Sequence, residues 1–276
     1  MTGSRRAVFL DVDGTYAAHG EVPPGHEAAV RAARANGHLV LLCTGRPRSM
    51  MAPTVLRAGF DGLVLGAGCH VLVGDEVLAD RRFPDGLAAR VLSVLDAHGA
   101  AYVLESPEAL YGRPGVDARL RRLIDTQLRP AGLEEGGPRD ILEVLVMTDD
   151  LAGRTFGKAV FFDSPASGSV LADEMGDGVH VERSSIPGMG DSAGEISVVG
   201  VDKALGVREV VAHLGLSRDD VVAVGDGPND VTMVEYAGLG VAVEGSDAAL
   251  LAVADRTVPG PLAAGLATLF EELGLV

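Results

Sequence analysis

The chain predicts an α/β fold: a parallel sheet covered by helices, with a smaller α+β domain inserted into it. Three observations carry this reading. Short Val- and Leu-rich runs alternate with stretches of helical period, the pattern of buried parallel strands and their crossover helices. Two of those runs end in acidic motifs, Asp11-Val12-Asp13-Gly14-Thr15 and Gly225-Asp226-Gly227-Pro228-Asn229-Asp230. From residue 83 to 199 the texture changes to shorter strand-like pieces broken by Gly and Pro. Residues 1–82 and 200–276 are therefore expected to form the core and 83–199 the insert, with one continuous large sheet as the alternative.

Ala7-Val8-Phe9-Leu10 reads as the first buried strand. A helix is expected over 25–36, stopped by Gly37, and Leu39-Val40-Leu41-Leu42-Cys43 forms the second strand. Pro47 suits the first turn of the next helix. Leu63-Val64-Leu65 is the third strand, and residues 71–78 form a hairpin turning on Gly74-Asp75. In the insert, Leu87, Val91 and Leu95 lie at helical spacing. Tyr102-Val103-Leu104 and residues 141–146 read as strands, and the Gly/Pro clusters at 134–138 and 186–190 as loops. Residues 221–224 and 240–243 add two core strands, followed by an apolar helix over about 261–273.

Composition excludes several functions. Lys and Arg number 23 against 39 Asp and Glu, a formal net charge of −16. No long basic run is present to neutralise nucleic-acid phosphates or anionic lipid, so neither nucleic acid nor membrane is an expected partner. Only four apolar residues separate Arg6 from Asp11, too few for a signal-peptide core, and no run approaches a membrane span. Two cysteines, Cys43 and Cys69, make neither a disulfide framework nor a metal cluster. A reduced, cytoplasmic protein with both thiols buried is expected.

The chemistry is concentrated at strand ends. Asp11 and Asp13 share one face of an extended segment, at the carboxyl end of a strand, where α/β proteins bind ligands. Two acids held there raise one pKa unless a cation settles between them. Thr44-Gly45-Arg46 ends the second strand. Its hydroxyl and free amides suit a phosphate cradle, although Thr-Gly before a helix also serves as ordinary capping. Lys203, in Gly200-Val201-Asp202-Lys203-Ala204-Leu205, lies near the start of an expected helix, where a cation opposes the helix dipole. A nearby anion would rationalise it; solvation would too. Gly225-Asp226-Gly227-Pro228-Asn229-Asp230 repeats the opening arrangement, and hard oxygen ligands from two neighbouring strand ends are what Mg²⁺ takes, with Asp226 as a direct ligand.

Taken in order, Asp11-Val12-Asp13-Gly14-Thr15, Cys43-Thr44-Gly45-Arg46, Val201-Asp202-Lys203 and Gly225-Asp226-Gly227-Pro228-Asn229-Asp230 resemble the four motifs of the haloacid dehalogenase (HAD) superfamily, in its branch of Cof-type phosphatases. Thr44 follows Asp11 by only 33 residues, whereas 159 separate Thr44 from Lys203. This places an α/β cap between the second and third motifs, on a Rossmann-like core. Glu195-Ile196 also matches the family's approach to the lysine. The chain departs from many relatives in having Gly66-Ala67-Gly68 where they carry Asn-Gly, and Glu244-Gly245-Ser246 where they carry Asn-Ala.

The resemblance implies a Mg²⁺-dependent phosphatase acting on a small phosphorylated metabolite such as a sugar phosphate. Asp11 would be the nucleophile forming an aspartyl-phosphate, and Asp13 the general acid and base. Thr44, the Gly45 amide, Arg46, Lys203 and Asn229 would bind phosphate and substrate. Asp11, the Asp13 carbonyl and Asp226 would hold Mg²⁺, with Asp230 steadying its waters. A phosphomutase on the same scaffold shares every core residue, and a non-catalytic Mg²⁺ and phosphate sensor is a further alternative. Oligomeric state is not readable from the chain.

Overall fold

The computed structural model describes residues 5–131, 137–184 and 189–276. Its strands, in chain order, are β1 (Ala7–Leu10), β2 (Leu39–Cys43), β3 (Gly62–Leu65), β4 (His70–Val73), β5 (Glu76–Asp80), β6 (Ala101–Glu105), β7 (Leu110–Gly112), β8 (Leu145–Met147), β9 (Lys158–Phe162), β10 (Val179–Arg183), β11 (Gly194–Val198), β12 (Val221–Gly225), β13 (Leu239–Val243) and β14 (Arg256–Val258). They divide into two sheets, and the chain into two compact units. The first unit comprises Met1–Arg46, Met51–Ala79 and Asp202–Val276; the second comprises Pro47–Met50 and Asp80–Val201.

The first unit's sheet has the order β14-β13-β12-β1-β2-β3-β4-β5. From β14 to β3 all pairings are parallel, and β4 returns antiparallel to β3. The order reverses direction between β1 and β12, the topological switch point at which open α/β sheets bind ligands beyond the strands' carboxyl ends. Alternation along β1 sends Val8 and Leu10 to one core, with the helices Pro24–Ala35 and Gly265–Glu272 supplying Ala29, Val30, Leu266 and Phe270. Ala7 and Phe9 go to the other, against Val207, Val210 and Val211 of the helix Lys203–His213. Asp11 continues the parity of Ala7 and Phe9, so the strand itself aims it at the face carrying the Lys203 helix.

The second unit has a six-stranded sheet, β10-β11-β9-β6-β7-β8, antiparallel except for the β7–β8 pair. One face packs on the helices Asp85–Ala97 and Gly168–Met175 through Val91, Leu95, Phe161, Leu171 and Ile196. The other face covers Leu120, Leu123 and Ile141. Within this unit Lys158 is buried, its ammonium 2.5 Å from Glu195 and 3.2 Å from Glu105.

Three local expectations require correction. Residues 141–144 belong to the helix Gly137–Val144, and only Leu145–Met147 are extended. Apolar residues at 141, 142, 144 and 145 satisfy a helical stripe as well as a strand, an ambiguity inherent in short apolar runs. Gly137 and Pro138, expected in a loop, open that helix; residues 134–136 and 186–188 of the two expected loops lie outside the described residues. The last helix is broken at Ala264, whose φ of 57° separates a turn at Pro261–Ala263 from the helix Gly265–Glu272. Among the described residues no helix is long and apolar enough to cross a membrane.

Candidate active site

Strand ends on both sides of the switch point deliver the acids. Asp11 follows β1 and is 6% exposed; Asp226 follows β12. Asp230 ends the tight turn Pro228–Asp230 and is fully buried. Carboxylate oxygens of Asp11, Asp226 and Asp230 lie within 4.8 Å of one another. Glycine makes this density possible. Gly14 has φ +84°, and a Cβ there would come 2.2 Å from Asp226 Oδ2; one on Gly225 would come 2.4 Å from the Asp230 carboxyl carbon.

Lys203 is the cation within this cluster. It opens the helix Lys203–His213, whose N-cap Asp202 accepts a hydrogen bond from the Leu205 amide. Its Nζ donates to Asp11 Oδ1 at 2.7 Å and to Asp230 Oδ1 at 2.5 Å. The other Asp230 oxygen accepts from the amides of Asp226 and Gly227, so this side chain braces the lysine and the β12 loop together. The helix start is itself nested on the β3 loop: a Cβ on Gly68, with φ +98°, would come 2.2 Å from the Asp202 carbonyl oxygen.

Electrostatics follow from the crowding. Burial, with the charges of Asp230, Asp226 and Asp13, raises the Asp11 carboxyl well above the ordinary range although Lys203 opposes the rise. Burial and Asp230 push Asp226 up to about 6, against the Thr15 hydrogen bond and Lys203. Burial opposes the charge of Lys203, but Asp11 and Asp230 outweigh it and raise its pKa. Three carboxylates around one ammonium leave an excess of negative charge, and their donor set is entirely hard oxygen. A divalent cation of the Mg²⁺ class fits that chemistry.

The remaining predicted residues fall around this centre. Thr44, 1% exposed, accepts from the Arg46 amide through Oγ1, leaving its own O–H to donate. Gly45 joins Thr44 to Arg46 between β2 and the Pro47 turn. Arg46 lies on Asp13: its Nε donates to Oδ2 at 2.6 Å and its Nη2 to Oδ1 at 2.7 Å. Asn229 sits half-buried in the Pro228–Asp230 turn. A sequence model of the haloacid dehalogenase-like hydrolases matches residues 8–269, a span that contains both strand-end acids and the lysine.

The chain belongs to that family. This HAD hydrolase falls in the Cof-type branch. It is 23% identical over 276 residues to a Bacillus subtilis (strain 168) protein named "Putative phosphatase YkrA", covering 98% of each chain. It is 32% identical over 110 residues to the 5-amino-6-(5-phospho-D-ribitylamino)uracil phosphatase YitU of the same organism, a match spanning 40% of either protein. Among solved structures, BT1666 of Bacteroides thetaiotaomicron superposes with a TM-score of 0.80 at 20% identity, covering 99% of this chain and 97% of that one. The subclass IIB sugar phosphatase BT4131 gives a TM-score of 0.77 at 20% identity, over 98% and 100%. At such identity these structures establish the fold alone.

Two residues of the HAD hydrolase's site escaped sequence reasoning. Thr15 donates to Asp226 Oδ1 at 2.7 Å, tying the β1 loop to the β12 loop; its place directly after Asp11-Val12-Asp13-Gly14 was the available signal. Asp202 caps the lysine helix, legible as an acid immediately before an apolar-periodic run.

Proposed function

We propose that the chain is a Mg²⁺-dependent phosphatase that hydrolyses small phosphomonoesters through an aspartyl-phosphate on Asp11. The observation carrying this is Asp11 itself: a buried strand-end carboxylate whose Oδ1 is held by Lys203, leaving Oδ2 to attack. Attack forms the Oδ2–P bond as the bond from phosphorus to the leaving oxygen breaks, and Asp13 protonates that oxygen. Water then attacks the aspartyl-phosphate, losing its proton to Asp13, and Asp11 is regenerated with release of phosphate. The Thr44 hydroxyl, the Gly45 amide and the Lys203 ammonium place donors where charge spreads over the phosphoryl oxygens. Asp11, Asp226 and the Asp13 main-chain carbonyl would hold the cation, with Asp230 in support. When bound, Mg²⁺ supplies neutralisation of the carboxylates and polarisation of the phosphoryl group.

Every residue of the four motifs except Val201 lies in the first unit, and the motifs contain nothing that distinguishes one leaving group from another. Reading the substrate therefore falls to the insert, expected at 83–199, as a cap. The phosphatase names of the sequence relatives support a small phosphorylated metabolite, such as a sugar phosphate, as the substrate class. The test is a phosphate-release screen over sugar phosphates, nucleotides, phosphoglycolate and cofactor phosphates, with Mg²⁺ and with chelator. Turnover that requires Mg²⁺ and disappears in Asp11→Asn is expected. Activity retained in that variant would remove Asp11 from the chemistry, and isomerisation without phosphate release would make the enzyme a mutase.

A further inference from the structure

We infer that Arg46 is a positioning residue for Asp13 rather than a phosphate ligand. This assignment rests on the phosphatase reading above. Its basis is a two-point contact: Nε and Nη2 of one guanidinium meet the two oxygens of one carboxylate at 2.6 and 2.7 Å. Such a fork fixes both the plane and the direction of a carboxylate, which a single hydrogen bond does not.

The two partners are unequal in a way that gives the fork its direction of action. The Arg46 side chain is 9% exposed, while that of Asp13 is 50% exposed. Arg46 is also pinned through its backbone, its amide donating to Thr44 Oγ1 at 3.1 Å and its carbonyl accepting from the Gly66 amide at 2.9 Å. A buried, anchored guanidinium therefore holds a half-exposed acid. Asp13 immediately precedes Gly14, whose φ of 84° turns the chain away from β1, and half of its side chain is open to solvent. With the fork in place, its oxygens are presented in one orientation to the leaving-group oxygen.

The consequence is a specific kinetic signature. An acid out of position harms esters whose leaving group needs a proton and spares those whose leaving group departs unaided. Lysine retains the charge of Arg46 but not its planar fork. Arg46→Lys is accordingly expected to lower kcat on an alkyl phosphate by about 10²-fold, the scale of a misplacement near 1 Å. Loss on an aryl phosphate should be less than about threefold, with little change in KM on either ester. Retained aryl phosphatase activity also certifies that the variant folds. In an Asp13→Ala background the same replacement should cost nothing further on the alkyl ester, because the acid it positions is gone.

Steady-state kinetics of the full chain with Mg²⁺ on both esters, for wild type, Arg46→Lys, Asp13→Ala and the double variant, decide the matter. Equal losses on the two esters, a raised KM on both, no loss on either, or additive losses in the double variant would each overturn the assignment while leaving the phosphatase reading intact. A wild-type chain inert on both esters overturns that reading and the assignment with it.

Discussion

At the scale of single residues, the site is a problem of charge. Lys203 is 1% exposed and lies between two carboxylates, one of them fully buried. Breaking a buried pair by removing one partner leaves an uncompensated charge and costs about 3–5 kcal/mol. Lys203→Met is therefore expected to destabilise the metal-free protein on that scale and, on the proposed mechanism, in which the ammonium acts on developing phosphoryl charge, to lower kcat more than it raises KM. Urea unfolding and steady-state kinetics check both; a variant with wild-type midpoint and wild-type kcat would show the lysine to be idle. The positions of Asp11, Thr44, Lys203 and Asp226 were legible because each follows an apolar strand or opens a helix, a local pattern in the sequence. The partner of Arg46 was not legible. Asp13 lies 33 residues away, and only the β1–β2 pairing brings the two together.

At the scale of elements, parallel strands were legible as uninterrupted Val- and Leu-rich runs, as in β1, β2 and β12, because burial on both faces leaves no polar alternation. Residues 141–146 misled because five apolar residues interrupted by Glu143 do not state a period. The helix Pro24–Ala35 carries a further device. His26 is fully buried, its Nδ1 3.0 Å from the Tyr16 carbonyl, while its Nε2 accepts from the Leu266 amide at 3.3 Å. Both bonds form together only in the neutral Nδ1–H tautomer, and burial lowers the pKa below the ordinary histidine value. A lowered folded pKa means that the unfolded chain takes up the proton first. Stability from this tie is then complete above about pH 6.5 and is lost as pH falls from there toward the folded value, at up to about 1.4 kcal/mol per pH unit. His26→Gln should flatten the Tm-against-pH profile between pH 7.5 and 5.5; a variant with the wild-type slope would remove His26 from the acid response. His38, also lowered by burial and by Arg6, leaves some slope behind.

At the scale of the whole molecule, the change of texture along the sequence gives an expected insert at 83–199, whereas the second compact unit comprises Asp80–Val201 together with Pro47–Met50. Met50 packs among Ala101, Val103 and Phe162, contacts that no local pattern around Pro47 encodes. Each unit has its own sheet and its own hydrophobic clusters, those of the first built on β1, β2 and β12 and those of the second on β6 and β9. Damage to one core should therefore stay there. The second unit offers a sharp probe in Lys158, 4% exposed and facing Glu105 and Glu195. Lys158→Met deprives two carboxylates of their ammonium and should cost the second unit about 3–5 kcal/mol. The acids of the first unit, Asp11, Asp226 and Asp230, share no cluster with that lysine. Mg²⁺ affinity measured by calorimetric titration below the melting range should then match wild type even as thermal unfolding of the second unit moves down. A Kd for Mg²⁺ that weakens in step with the loss of stability would mean that the two units fold as one cooperative body, and that the division of labour between a chemical core and a substrate-reading insert is wrong.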